Sequence, residues 1–214
     1  AEVDVICRAA QRATDAPKLH GIRLSTDEWQ SRRDTLRSLL RAGQTVSEIK
    51  TKYCETLIDQ VWTKDLLDVR KQYANLGEKW WRIFSGKYRQ ARSTLQGYCK
   101  ASLPTTKHEC LQIIDAILEF QKEKETFDSH AQLGEALFGA QWLNEKSDWE
   151  VLSRLSNWTF ELYDDLGKGQ LPKGILDFLS GHPDASGLGN EIGPIRAAVS
   201  SLRSVLGEVE VSLK

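Results

Sequence analysis

The chain has 214 residues, 40% of them hydrophobic and 28% charged, with 29 Lys and Arg against 30 Asp and Glu and a formal net charge of −1. That length and apolar share suffice for a core in one large or two small domains, and they exclude a disordered chain. No apolar run approaches the ~20 residues of a membrane-spanning helix, no basic-then-apolar leader is present, and the balanced charge excludes indiscriminate coating of nucleic acid.

The dominant spacing is that of the α-helix and no stretch alternates with the period of a strand, so the expected fold class is all-α. Residues 2–14 form a first helix with Val3, Ile6 and Ala10 inward, ended by the segment around Pro17 and Gly21. Ser25-Thr26-Asp27-Glu28 reads as a capping box, with Ser25 at the N-cap and Glu28 three positions on. Behind it Trp29, Leu36, Leu40, Val46, Ile49, Tyr53 and Leu57 trace a narrow apolar stripe over about thirty residues, or about 45 Å of helix. Gly43 weakens this helix without ending it. Thr63 caps a further helix carrying Leu66, Leu67, Val69 and Tyr73, and Gly77 stops it.

Trp81, Phe84, Tyr88, Ala91, Leu95 and Tyr98 then recur at helical spacing, with Ser85-Gly86 as a break and restart. Leu103-Pro104 ends that run, and Thr105 or Thr106 caps a second long helix over 106–138. Its stripe is Cys110, Ile113, Ile114, Ile117, Phe120, Phe127, Leu133 and Leu137. The polar belt QKEKET between Phe120 and Phe127 suits an extended hairpin that buries one seam. Ser147-Asp148-Trp149-Glu150 is a second capping box, opening a helix with Leu152, Leu155, Trp158 and Leu162 inward. Gly167 to Pro172 make a turn, Lys173 to Leu179 a short helix, and Gly181 to Gly189 a loop. Pro194 opens a last helix through Ile195, Val199, Leu202, Val205 and Val209. The expectation is one elongated all-helical region over 1–214, an antiparallel hairpin or bundle with coiled-coil-like long helices. Its core hairpin spans about 25–165, and short helices with a terminal helix fill 166–214.

Cys7, Cys54, Cys99 and Cys110 contain no CxxC pair and match no zinc-module spacing. Cys54, Cys99 and Cys110 fall on or beside apolar stripes and are expected as buried structural thiols. His20, His108, His130 and His182 are scattered, and His108 diverges from Cys110 on a helix, so no metal site is expected. No phosphate-cradling loop, GxSxG or HExxH occurs. Adjacent Asp164 and Asp165 point about 100° apart and read as a solvated helix end rather than an acid–base pair. No catalytic residue and no cofactor are expected in this chain.

The segment 79–100 is different. It carries Lys79, Arg82, Lys87, Arg89, Arg92 and Lys100 with no acid, interleaved with Trp80, Trp81, Phe84, Tyr88 and Tyr98. Such cations neutralise phosphates, and aromatic faces accept stacked bases. Helical geometry, however, turns most of these aromatics to the buried stripe, so phosphate contact alone survives as a candidate role. Residues 115–150, with nine acids against three Lys, are a competing partner inside the chain. The seven Trp are expected to fill junctions between helices.

Two stretches together, EKWWRIFSGKYRQARSTL (78–95) and LGEALFGAQWLNEKSDWEVLSRLSNWTFEL (133–162), carry a family resemblance. They resemble the helical, coiled-coil-like region inserted in large bacterial superfamily-one helicase-like ATPases, relatives of the nonsense-mediated-decay helicases. The counterparts are Trp80, Trp81, Tyr88 and Arg92, then Leu133, Gly134, Trp142, Asp148, Trp149 and Glu150, within a match over about 25–165. The resemblance implies an excised middle segment, which fits a start at Ala1 and helical segments at both ends. It also implies a parent that uses ATP and Mg and acts on nucleic acid, while the family's ATPase motifs are absent here. On this reading the chain is a non-catalytic stalk or arm whose partners are the rest of the parent ATPase and nucleic acid or another protein. The location would be cytoplasmic, with no membrane partner. The alternative is a free-standing helical scaffold for protein–protein interaction.

Overall fold

The computed structural model describes residues 2–76 and 84–181, with helical backbone also at Pro194, Ala197, Ala198, Ser200, Ser201 and Ser204. Gly77, Lys79, Trp80, Trp81, Arg82, the loop beyond Gly181 and the stripe from Ile195 to Val209 lie outside the described residues, as does the side chain of Val3.

The fold is all-α. The helices are α1 (Glu2–Thr14), α2 (Glu28–Ser31), α3 (Arg33–Tyr53), α4 (Leu67–Leu76), α5 (Gly86–Gln96), α6 (Lys107–Phe138), α7 (Trp149–Gly167) and α8 (Ile175–Gly181). Short 3₁₀ turns at Asp59–Thr63, Gly139–Gln141 and Asn144–Lys146 connect several of them. Among the described residues the only β feature is an isolated antiparallel bridge between Leu57 and Cys99. Packing resolves two compact units. The first comprises Ala1–Arg37, Gln132–Leu143 and Ser147–Lys214; the second comprises Ser38–Ala131 and Asn144–Lys146.

The first unit is built on aromatic rings. Trp29 is fully buried, with its ring edge-on to Phe138 at 5.7 Å and to Phe160 at 6.3 Å. Its indole N–H donates to the Arg23 carbonyl at 2.7 Å, which satisfies the polar end that burial would otherwise penalise. Phe138 stacks on Trp142 at 6.0 Å, and Trp142 meets Trp149 edge-on at 5.8 Å. The α6–α7 turn closes over Gly134, where a Cβ would stand 2.6 Å from the Trp142 ring. α7 turns Leu152, Leu155, Trp158 and Leu162 inward, as its spacing predicts.

In the second unit α3 contributes Val46 and Ile49, α4 Val69 and Tyr73, α5 Tyr88, Ala91 and Leu95, and α6 Cys110, Ile113, Ile114, Ile117 and Phe120. Trp62 lies on Phe120 at 4.4 Å and Tyr73 against Tyr88 at 5.4 Å. The QKEKET belt is held here by polar partners. Gln121 donates to the Lys64 carbonyl at 2.8 Å, and Lys124 lies 5.4 Å over the Phe127 ring while pairing with Asp128 and Glu145.

Several local expectations are corrected. Ser25 does not cap: Asp27 occupies the N-cap of α2 without a side-chain bond, and the chain turns at Arg32 before α3 begins. α3 therefore covers 21 residues, and Leu57 is buried from the bridge that follows it. Asp65, not Thr63, accepts the Leu67 N–H ahead of α4, at 2.9 Å. At α7 the cap is Asp148, accepting from Val151 N–H at 3.1 Å, while Ser147 accepts from Leu143 N–H at 2.8 Å. Thr106 does cap α6, accepting from Glu109 N–H at 3.2 Å, and Ser85 caps α5 from Tyr88 N–H at 3.4 Å. Ile6, Leu67 and Phe84 face outward, at 62%, 52% and 72% exposure, and Val69 and Tyr88 take the buried places beside the latter two. Cys110 is buried as expected, Cys99 is half-buried, and Cys54 is exposed just past the end of α3.

Candidate functional site

The sequence places its cations on and around α5, so the local geometry of that helix decides what they can do. Tyr88, Ala91 and Leu95 form its buried face. At about 100° per residue, Arg89 and Arg92 stand about 60° apart on one flank of that face, and Lys87 on the other. All three are exposed. Lys87 lines a groove of about 430 Å³ between α4 and α5, shared with Asp68, Gln72, Gln90 and Thr94. Arg92 lies close enough to Tyr73 to oppose a rise in its phenol pKa, which burial drives and Cys110 and Tyr88 reinforce.

Lys100 has a different task. Its ammonium donates to the Cys54 carbonyl at 2.6 Å, and its backbone N–H donates to the Thr56 carbonyl at 2.9 Å. With Ile58 N–H on the Tyr98 carbonyl at 3.0 Å, these bonds clip the end of α5 to the end of α3. A cation there also meets the negative end of the α3 dipole. Lys100 thus belongs to the architecture of the second unit, and Lys79 and Arg82 lie outside the described residues. Of the described members, Arg89 and Arg92 share one flank of α5 and Lys87 takes the other.

The competing partner inside the chain is not used by these residues. Among the described residues no carboxylate forms an ion pair with Lys87, Arg89, Arg92 or Lys100, whereas several other cations of the second unit are matched. Arg70 meets Asp115 at 2.5 Å, Lys71 meets Asp68 at 3.4 Å, and Lys50 and Lys124 both reach Glu145 at 3.2 Å. Burial opposes ionisation of Glu145, but hydrogen bonds and charge from Lys50 and Lys124 hold its pKa below the usual value.

Asp164 and Asp165 are not a solvated end. Their divergence is as read, and each is an anchor in the first unit: Arg33 grips Asp164 through both oxygens at 2.9 and 3.1 Å. Arg12 reaches buried Asp165 at 2.8 Å and Glu161 at 2.6 Å. The hydrogen bond from Arg33 holds the Asp164 carboxyl below its ordinary pKa. The Arg33 and Arg37 guanidiniums also lie 4.7 and 5.2 Å from the centre of the Phe160 ring. No group of three or more metal-ligating side chains converges among the described residues.

Sequence reasoning missed a cavity of about 810 Å³ in the first unit, walled by the segment after α1, the turn after α6 and one face of α7. Lys18, His20, Arg154 and Trp158 line it. Their separation along the chain leaves no local motif to read. Several residues that carry the helicase resemblance serve the local fold: Gly134 admits the Trp142 ring, Asp148 caps α7, and Trp149 braces Trp142. Comparison with protein-family models, with curated proteins and with solved structures returns no match to this chain. No helix among the described residues is long and apolar enough to cross a membrane.

Proposed function

We propose that this chain is a non-catalytic helical binding module whose α5 flank meets the phosphates of a nucleic acid, as an arm of a larger helicase-like ATPase would. One observation carries the reading. Arg89 and Arg92 are exposed on the same flank of a capped helix, with no carboxylate in ion-pair reach among the described residues, while Arg70 and Lys71 are matched. Guanidinium forks of this kind suit phosphate oxygens, and such contacts position a nucleic acid without reading its sequence. The buried positions of Tyr88 and Leu95 favour backbone contact over base stacking.

The test is fluorescence anisotropy with labelled single- and double-stranded DNA across a salt series. Binding should weaken linearly in log–log form, and removing each arginine should lower the slope by about 0.7 to 0.9. Arg89→Glu with Arg92→Glu should abolish binding at low salt. Binding unmoved by that double reversal, or no binding at low salt by the parent chain, overturns the reading.

A free-standing scaffold for protein–protein interaction is the second reading, favoured by the apolar surface that Ile6 on α1 and Phe178 on α8 leave exposed, at 62% and 41%. It predicts a dimer in size-exclusion chromatography with light scattering; a monomer at all concentrations removes it.

A further inference from the structure

The cavity of the first unit has a preformed wall. Gln141 donates its side-chain amide to the Lys18 carbonyl at 2.8 Å, and Gly139 approaches Gly21 so closely that a Cβ would stand 2.4 Å from the Gly21 oxygen. Ile22 N–H closes on the Leu19 carbonyl at 3.0 Å. The segment between α1 and α2 is thereby held against the turn that follows α6, and it presents Lys18 and His20 from a fixed backbone.

The lining divides by chemistry. Trp158, 7% exposed, and Val151 supply an apolar floor from α7. Lys18, His20 and Arg154 stand exposed on the rim, and none of them pairs with a carboxylate among the described residues. The one acid on the rim, Asp15, accepts from the Gln11 amide at 2.6 Å. Elsewhere in this unit Arg12 and Arg33 are matched to carboxylates. An indole floor beneath an ammonium and a guanidinium is complementary to one kind of solute: a flat apolar body bearing an anionic group. A volume of about 810 Å³ is within the range of small-molecule sites.

We infer that this cavity binds a small aromatic anion, its ring over Trp158 and its carboxylate, sulfonate or phosphate between Lys18 and Arg154. The site is independent of the α5 arginines, which belong to the other unit, so either proposal can fail alone.

The probe is 1-anilinonaphthalene-8-sulfonate, followed by its fluorescence on titration into the full chain, with neutral N-phenyl-1-naphthylamine as the uncharged counterpart. The sulfonate should bind at least tenfold more tightly than the neutral compound. Lys18→Glu with Arg154→Glu should weaken it at least tenfold while leaving the neutral compound within twofold; both residues are exposed, so the thermal melt should match that of the parent. Val151→Trp, which fills the cavity without changing charge, should weaken both probes at least tenfold. Three results overturn the inference: equal affinity for the two probes, sulfonate binding within twofold of the parent after the double reversal, or loss on reversal with none on filling. Should Val151→Trp fail to fold, the first two comparisons decide the matter.

Discussion

At the scale of single residues, the tightest constraint lies where backbone substitutes for side chain. Gly134 is helical and lies under the Trp142 ring, with 2.6 Å between that ring and any Cβ. Gly134→Ala should destabilise the chain by about 1 to 3 kcal/mol, the usual cost of overpacking, and urea denaturation would read the shift in midpoint. Gly139→Ala should cost more. It adds left-handed backbone at φ 50° to a 2.4 Å clash with the Gly21 carbonyl, and neither a rotamer change nor a flexible neighbour relieves it. An equal effect of the two substitutions would show that the Gly21–Gly139 approach relaxes freely. The ionisable residues obey the same logic: Arg12, Arg33 and Lys100 fix elements in place, whereas Arg89, Arg92, Lys18 and Arg154 are exposed and pair with no carboxylate among the described residues.

At the scale of elements, helix starts separate what composition suggests from what geometry uses. Asp148→Ala removes a working N-cap and should lower stability by about 1 kcal/mol, whereas Ser25→Ala should change it by less than about 0.5 kcal/mol. Paired thermal melts of these two variants test that contrast directly. The apolar stripes of α6 and α7 were legible because their residues recur at helical spacing and each is buried, from Cys110 through Leu137 and from Leu152 through Leu162. Ile6, Phe84 and Leu67 were misread because a stripe predicts a face but not how wide the opposing surface is. The two capping boxes were recognised as helix starts and missed by one or two positions, since Ser, Thr and Asp in a row offer several oxygens and only backbone direction selects among them. Of the candidate site, the charge of α5 was legible and the loss of Lys100 to the Cys54 carbonyl was not: that bond joins residues far apart in the chain.

At the scale of the molecule, the second unit has a clasp. Glu145 enters it from the turn between α6 and α7 and meets Lys50 of α3 and Lys124 of α6, each at 3.2 Å. Its pKa is lowered on folding, so the clasp contributes fully above the ordinary carboxylate value of 4.5 and is lost as pH falls through the lower folded value. Lys124 is shifted upward, so its share persists below its ordinary value of 10.5 and fades only as pH rises past the folded one. Glu145→Gln should therefore flatten the loss of stability between about pH 5 and pH 3, measured by denaturant titration at each pH; an unchanged acid limb would show that other carboxylates govern it.

Two of the chain's passages between the units, from Arg37 to Ser38 and from Ala131 to Gln132, fall inside helices, α3 and α6. A protease searching for a hinge at those points meets hydrogen-bonded backbone instead of a loop. Brief trypsin digestion should leave Arg37 and Arg41 uncut, and a circular permutant or transplant of either half would have to sever a helix to succeed.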